Sequence, residues 1–156
     1  MDDKAVDSKD IRIIEQLLSD GRASLRKIAD RVGVSPSTAS NRFKELLDNG
    51  VIQGFVPVLD YEKMGYRFSA LTHIKTEPGK VSEIAESLKD KAFIEQCFSV
   101  TGDADIVIIS HFRTREGMNE SIQDVQRMEG IEETKTNVVL ESYRQDDSKD
   151  FGRMRL

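Results

Sequence analysis

Two short stretches hold most of the side chains whose type and spacing could do chemistry. The first is SPSTASNRFKELLDNG, residues 35–50. On a helix, Ser37, Thr38, Asn41, Arg42 and Lys44 fall on the face, and its flanks, opposite Ala39, Phe43, Leu46 and Leu47. Short hydrogen-bonding side chains near a helix start, with cations behind them, suit entry into a major groove: small residues meet base edges and positive charge sits beside phosphates. Taken alone, an ordinary solvated helix face looks much the same. The second stretch is Gly102-Asp103-Ala104-Asp105. Glycine permits a tight turn with free backbone N–H groups for a carboxylate, and Asp103 or Asp105 could hold an ammonium. A plain hairpin turn has the same composition. His73, His111 and Cys97 follow no zinc-ligand spacing. No phosphate-binding glycine loop or nucleophile elbow is present. The expectation is a non-enzyme with no catalytic set, metal or cofactor.

Charge distribution separates the groove reading from the bland one. The net charge of −5 over 156 residues weighs weakly against a nucleic-acid partner. Residues 1–54, however, carry nine basic and nine acidic groups, and residues 55–156 carry fourteen and nineteen. Within 22–44 stand six cations (Arg22, Arg26, Lys27, Arg31, Arg42, Lys44) against Asp30 alone, a local +5. Such a patch binds phosphates while the rest of the chain stays acidic. The single cysteine, Cys97, rules out an internal disulfide framework and suits a reducing compartment; its apolar neighbours read as a buried strand thiol. With no apolar run of membrane-spanning length and no signal peptide, the expected location is the cytoplasm.

These stretches need elements to hold them. Asp7 with Asp10 resembles a capping box, and Ile11, Ile14, Leu17 and Leu18 make a helical stripe that Asp20-Gly21 breaks. Ser24 caps a second helix through Leu25, Ile28, Ala29 and Val32, ending at Gly33. Ser35 caps the third, with Pro36 at its first position and Gly50 as its left-handed stop. Two short helices joined by a three-residue turn containing glycine form a helix-turn-helix, the later helix being the reader. Val51 to Val56 reads as a strand or small wing. Pro57 demotes Phe55–Asp60 to an edge strand or linker.

Beyond Gly65 the pattern alternates. Strands are expected over Tyr66–Thr76, Phe93–Val100, Asp105–Phe112 and Thr134–Tyr143. Helices are expected through Val81, Ile84, Ala85 and Leu88 and through Met118, Ile122 and Val125. The order is βαββαβ, a ferredoxin-like α+β sandwich with both helices on one sheet face. The domains are then 1–54 (winged helix-turn-helix), 55–65 (linker strand), 66–145 (βαββαβ) and 146–156 (flexible tail). In the third strand Ile106, Ile108 and Phe112 point one way and Val107 and Ile109 the other. Helices cover only one face, so the second apolar face implies another copy of the chain, a homodimer.

From Val6 to Tyr143 the chain resembles the Lrp/AsnC ("feast/famine") family of prokaryotic, including archaeal, transcriptional regulators. The resemblance rests on DSKDIRIIEQLLSDGR, KIADRVGVSPSTASNRFKELLDNGVIQGFVPVLDYEKMGY, VTGDADIVI and GIEETKTNVVL, in that order. It implies sequence-specific binding of double-stranded DNA, dimers that assemble into octamers, and a small effector, often an amino acid. Its DNA-facing residues map onto Ser35, Ser37, Thr38, Ser40, Asn41, Arg42 and Lys44, with Arg26 and Lys27 behind. Ser40 lies beside Phe43 by helical angle, and Arg42 suits a phosphate contact. Its effector site maps onto Thr101, Gly102, Asp103, Ala104 and Asp105, with Thr134 and Thr136 on the fourth strand. Many relatives carry an aromatic residue where this chain has Ala104, so an effector-independent, chromatin-organising protein is an alternative. Sirohaem decarboxylases share the architecture and would give His73 or His111 a haem-side role; the basic reading helix would have no purpose there.

Overall fold

Asp7 starts the regular structure. Its carboxylate accepts from the N–H groups of Lys9 (2.8 Å) and Asp10 (3.0 Å), and the Asp10 carboxylate accepts in return from the N–H of Asp7 (3.1 Å). This reciprocal box opens helix α1, Ser8–Ser19. The buried residues of α1 are Asp10, Ile13 and Leu17, so the buried arc is centred on Ile13 rather than on the expected Ile11 and Ile14. A helix packed against two others buries an arc set by both neighbours, which one stripe does not reveal. Helix α2, Leu25–Val32, is capped by Ser24 and stops at Gly33, whose φ of 78° is left-handed. A side chain there would add roughly 1–2 kcal/mol of strain. Helix α3, Pro36–Asp48, starts from Ser35, whose Oγ accepts from the N–H of Thr38 (3.1 Å). Ile13, Leu17, Ile28, Val32 and Leu46 form the core shared by the three helices.

The computed structural model describes residues 6–141, which divide into two units between Val58 and Leu59. No strand forms over Val51–Val56. Ile52 donates its N–H to Leu46 (3.0 Å) and packs on the helical core, and Phe55 sets its ring 6.1 Å from that of Phe43. The linker expected as a strand over 55–65 likewise has no ladder partner among the described residues. Its second half closes into a turn instead: Met64, Gly65 and Tyr66 donate to the carbonyls of Asp60, Glu62 and Tyr61.

The second unit runs β1 (Phe68–Thr76), α4 (Val81–Lys89), β2 (Ile94–Ser99), β3 (Ile106–Phe112), α5 (Arg115–Gln126) and β4 (Ile131–Val138). The strands pair antiparallel in the order β2-β3-β1-β4, the βαββαβ sandwich read from the pattern. Ala70, Thr72, Ile74 and Thr76 of β1 and Ile106, Ile108, Ser110 and Phe112 of β3 face the helices and are buried. Ile84, Leu88 and Val125 pack onto Ile74, Ile106 and Ile108; each such side chain contributes about 1.5–3 kcal/mol. Leu71, His73, Val107 and Ile109 stand on the other face, half-buried. The fourth strand begins at Ile131, earlier than the expected Thr134. Ile131 pairs with Thr76 just past Gly130, with a register shift at Lys75/Thr76 absorbing the change of pace. Tyr143 and the expected tail, 146–156, lie outside the described residues. Cys97 sits half-buried on the helix-covered face, and burial pushes its thiol above the ordinary range, as suits an inert core thiol.

Candidate nucleic-acid interface and ligand turn

On α3 the exposed polar residues Ser37, Ser40, Asn41 and Lys44 recur at helical spacing as one stripe, with the acidic Glu45 and Asp48 exposed nearer the C-terminal end. Ser35 and Thr38 are tied into the helix start, Ser35 Oγ lying 2.9 Å from Ser37 Oγ and 2.7 Å from Thr38 Oγ1. Ser40, angularly close to Phe43, is nonetheless exposed, because only Ala39 and Leu46 of α3 are buried. Arg26 and Lys44 have no side-chain partner among the described residues, whereas Lys27 pairs with Asp20 at 3.2 Å.

Arg42 is placed differently from the expected phosphate contact. Its Nη1 lies 2.7 Å from Asp7 Oδ2 and 2.8 Å from Asp10 Oδ1, and its side chain is only 20 % exposed. The guanidinium therefore ties α3 to the first turn of α1. Hydrogen bonding from the Asp10 N–H, and then from Arg42, pulls the Asp7 carboxyl down to about 2 from its ordinary 3.8. The two aspartates in turn raise the Arg42 guanidinium, Asp10 most. Arg31 stays exposed but is engaged, donating to Gln16 Oε1 at 3.0 Å. Of the cations on α2 and α3, Arg26 and Lys44 are thus the ones exposed with no side-chain partner among the described residues.

The turn after β2 takes the expected form. Gly102 has φ 115°, a conformation that disfavours any side chain, and a Cβ built there would meet nothing within 4 Å. Thr101 and Asp103 are exposed; Ala104 and Asp105 are half-buried. Asp105 departs from the free ammonium holder the sequence suggested. Its Oδ2 accepts from the N–H (2.8 Å) and Oγ1 (3.3 Å) of Thr76, and its own N–H donates to Ile74 (3.0 Å). It fastens the turn to the end of β1, which leaves Asp103 as the exposed carboxylate.

Register brings this turn and the start of β4 to one end of the sheet. Ile74 pairs with Ile106 on one side and Thr134 on the other, two strand spacings or about 10 Å across. Both Thr134 and Thr136 lie on the helix-covered face. Thr136 Oγ1 is 3.0 Å from Thr72 Oγ1, and Thr134 Oγ1 accepts from Gln126 Nε2 at 2.8 Å. Thr134 lines a cleft of about 320 Å³ with Gln126, Ile131, Glu132 and Glu133.

A further group of side chains lies at the opposite end of the sheet and left no mark in the sequence. Tyr61 stacks on His111 with ring centroids 4.0 Å apart and planes 10° from parallel. Glu95 accepts from the Tyr61 hydroxyl (3.2 Å) and lies 2.8 Å from His111 Nε2. Ser69 Oγ lies 2.8 Å from His111 Nδ1. Among the described residues no group of three or more His, Cys, Asp or Glu could hold a metal ion. No helix among them is long and apolar enough to cross a membrane.

Comparison with known proteins agrees with both units. Residues 6–53 match the winged helix-turn-helix DNA-binding model, and residues 69–148 match the Lrp/AsnC ligand binding domain. An uncharacterized HTH-type transcriptional regulator of Pyrococcus furiosus is 40% identical over 90% of this chain and 95% of its own length. The HTH-type transcriptional regulator FL11 of the same organism is 36% identical over 90% and 93%. Among solved structures, E. coli AsnC superposes with a TM-score of 0.82 at 22% identity, covering 90% of this chain and 95% of that one. The feast or famine regulatory protein of M. tuberculosis, solved in complex with L-methionine, superposes at 0.80 with 25% identity over 90% and 95%. The chain belongs to the Lrp/AsnC family: it is a DNA-binding transcriptional regulator that carries a ligand-binding domain behind its helix-turn-helix.

Proposed function

We propose that the protein reads operator DNA as a cytoplasmic homodimer, with Ser37, Ser40 and Asn41 of α3 at base edges and Lys44, Arg26 and Lys27 at phosphates. The observation that carries this reading is the exposed stripe on α3, where Lys44 has no side-chain partner among the described residues while Arg42 is turned away to α1. Residues 1–54 serve as the reader, 55–65 as the connection and 66–145 as the ligand and assembly domain, with 146–156 as a tail. The dimer uses the open sheet face, where Leu71, Val107 and Ile109 stand half-buried and Phe98 is 46% exposed. Dimers assemble further, to octamers in the manner the family resemblance implies. Asn41→Ala weakens specific binding by about 1–3 kcal/mol, as for a lost base-edge contact. An unchanged ratio of specific to non-specific affinity would remove Asn41 from the reading face.

The effector in this reading is an amino acid at the 101–105 turn. Backbone N–H groups around Gly102 receive its carboxylate and Asp103 its ammonium, with Thr134 across the sheet end. Support comes from the exposed turn and from the L-methionine complex of the M. tuberculosis relative. Operator affinity measured with and without a panel of amino acids, on wild type and Asp103→Asn, tests the site. A response shared equally by both proteins places the effector elsewhere. The small Ala104 and the engaged Asp105 favour a second reading, effector-independent DNA binding. That reading holds if no amino acid shifts the wild type.

A further inference from the structure

We propose that Arg42 is a positioning residue for sequence reading: its tie to Asp10 fixes the roll of α3 about its own axis, and so decides whether Asn41 meets a base edge. The seam by which α3 enters the helical core is narrow. Its buried residues are Ala39 and Leu46, two turns apart and within about 20° of each other around the axis. Two contacts flank that seam. On one side Phe43, half-buried, sets its ring 6.1 Å from that of Phe55, which is itself 51% exposed. On the other side Arg42 stands about 60° round from Ala39. Its Nη1 reaches α1, 2.7 Å from Asp7 Oδ2 and 2.8 Å from Asp10 Oδ1. A ring contact at an exposed edge slides, whereas a hydrogen bond between charged groups is short and directional.

The anchor at the other end of this tie is itself fixed. Asp10 belongs to the capping box of α1, where its carboxylate accepts from the Asp7 N–H and its own N–H donates to the Asp7 carboxylate. Its side chain is only 10% exposed. The guanidinium is thus held against backbone of the first turn of α1, and through it α3 is referred to α1 at a point off the seam. Two points of attachment at different angles resist rotation, which a single line of contact does not.

Rotation matters because of what stands on the outer face. Asn41 lies about 160° round from Ala39 and is exposed. A helix with its side chains has a radius of roughly 5–6 Å, so a roll of about 20° carries the outer face by about 2 Å. Hydrogen bonds to base edges hold over about 2.7–3.2 Å, and a side chain as short as asparagine cannot make up the difference. Lys44 can, because its stem is long and flexible and its ammonium meets a phosphate as a point charge. Loss of the tie therefore falls on discrimination between sequences and spares the general attraction to phosphates. The Arg42 charge takes no part in that attraction, since Asp7 and Asp10 hold it. Naming Asn41 rests on the proposed reading face; the tie itself does not.

The probe is a duplex selected by the wild-type protein from a random-sequence pool, set against an unrelated duplex of equal length. Affinities of the full chain for both are measured at two salt concentrations, with the fold of each variant checked by circular dichroism. Arg42→Met, which keeps much of the stem without the charge, is expected to lower the ratio of specific to non-specific affinity by about five- to hundred-fold. That is the range for one base-edge contact, and the salt slope should not change. Asp10→Asn should lower the ratio by less, and it decides by the same measure if Arg42→Met does not fold. Because Arg42 acts through Asn41, adding Asn41→Ala to Arg42→Met should lower the ratio little further. An unchanged ratio in the folded variant overturns the proposal, as does a salt slope lower by about one. Fully additive losses in the double variant overturn the route through Asn41. Asn41→Ala alone tests the reading face: no change there removes Asn41 from it, while a lower ratio in Arg42→Met still upholds the positioning role.

Discussion

Replacing Arg42 separates a structural tie from a phosphate contact. Arg42→Ala removes two charge-assisted hydrogen bonds, at 2.7 Å to Asp7 and 2.8 Å to Asp10. The two do not weigh equally. The Asp7 side chain is 44% exposed and keeps its backbone partners, so solvent screens most of that contact. Asp10 has a side chain only 10% exposed, and without Arg42 its carboxylate keeps just the N–H of Asp7. A hydrogen bond to a charged, nearly buried group contributes about 1.5–3 kcal/mol, and that is the expected loss in the stability of the helical unit. The assay is the opening free energy of α3 from native-state hydrogen exchange at Ala39 and Leu46 in the full chain, so that two units need not unfold together. A cycle with Asp10→Asn, which keeps an acceptor for the Asp7 N–H, should return a coupling above about 1 kcal/mol. A stability change below about 0.5 kcal/mol, together with a fall of about one in the salt slope of DNA binding, would refute the tie and restore Arg42 to the phosphates.

The remaining expectations concern single groups. Asp7 is held down by its bond from the Asp10 N–H and then by Arg42, so the stabilisation it gives is complete above its ordinary 3.8 and is lost as pH falls toward about 2. An acid titration followed at the Lys9 and Asp10 amides checks this, and Asp7→Asn should abolish the step. Ser110 Oγ is buried without a hydrogen-bond partner. Ser110→Ala should therefore leave stability unchanged or raise it by up to about 1 kcal/mol in urea unfolding. Ile109→Lys places a charge on the open sheet face and should convert the proposed dimer to monomer in sedimentation. Wild type sedimenting as a monomer at micromolar concentration would remove the basis of that prediction.

What could be read from the sequence was what short-range chemistry determines. Ser24, Ser35, Pro36 and Gly33 act within one turn of their own positions, and each stands where its residue type requires. Alternation in β3 separated its two faces because a period of two leaves no other choice. Arg42 escaped because its partners stand 32 and 35 residues earlier, and a helical wheel shows only that it lies on a flank. Asp105 escaped for the same reason: its partner, Thr76, is 29 residues away. The start of β4 was missed because Ile131-Glu132-Glu133 has the look of a loop, and only pairing with β1 makes it a strand. Tyr61, Glu95 and His111 belong to three separate segments, and no local pattern joins them.

The strand order has a consequence for how the chain comes off the ribosome. Among the described residues the helical unit lies within residues 6–58, and its Arg42–Asp7 tie spans 35 residues. In the sheet, central β1 must wait for β3, reached across 42 residues at Ser69–His111, and then for β4, across 64 at Thr72–Thr136. Synthesis therefore presents the three helices α1–α3 while one side of β1 is still bare. Closing long loops is slow, and unpaired strands invite pairing with other chains. A message cut short before codon 131 would thus yield a chain able to form its helical unit but carrying an open β edge, prone to joining other chains through it.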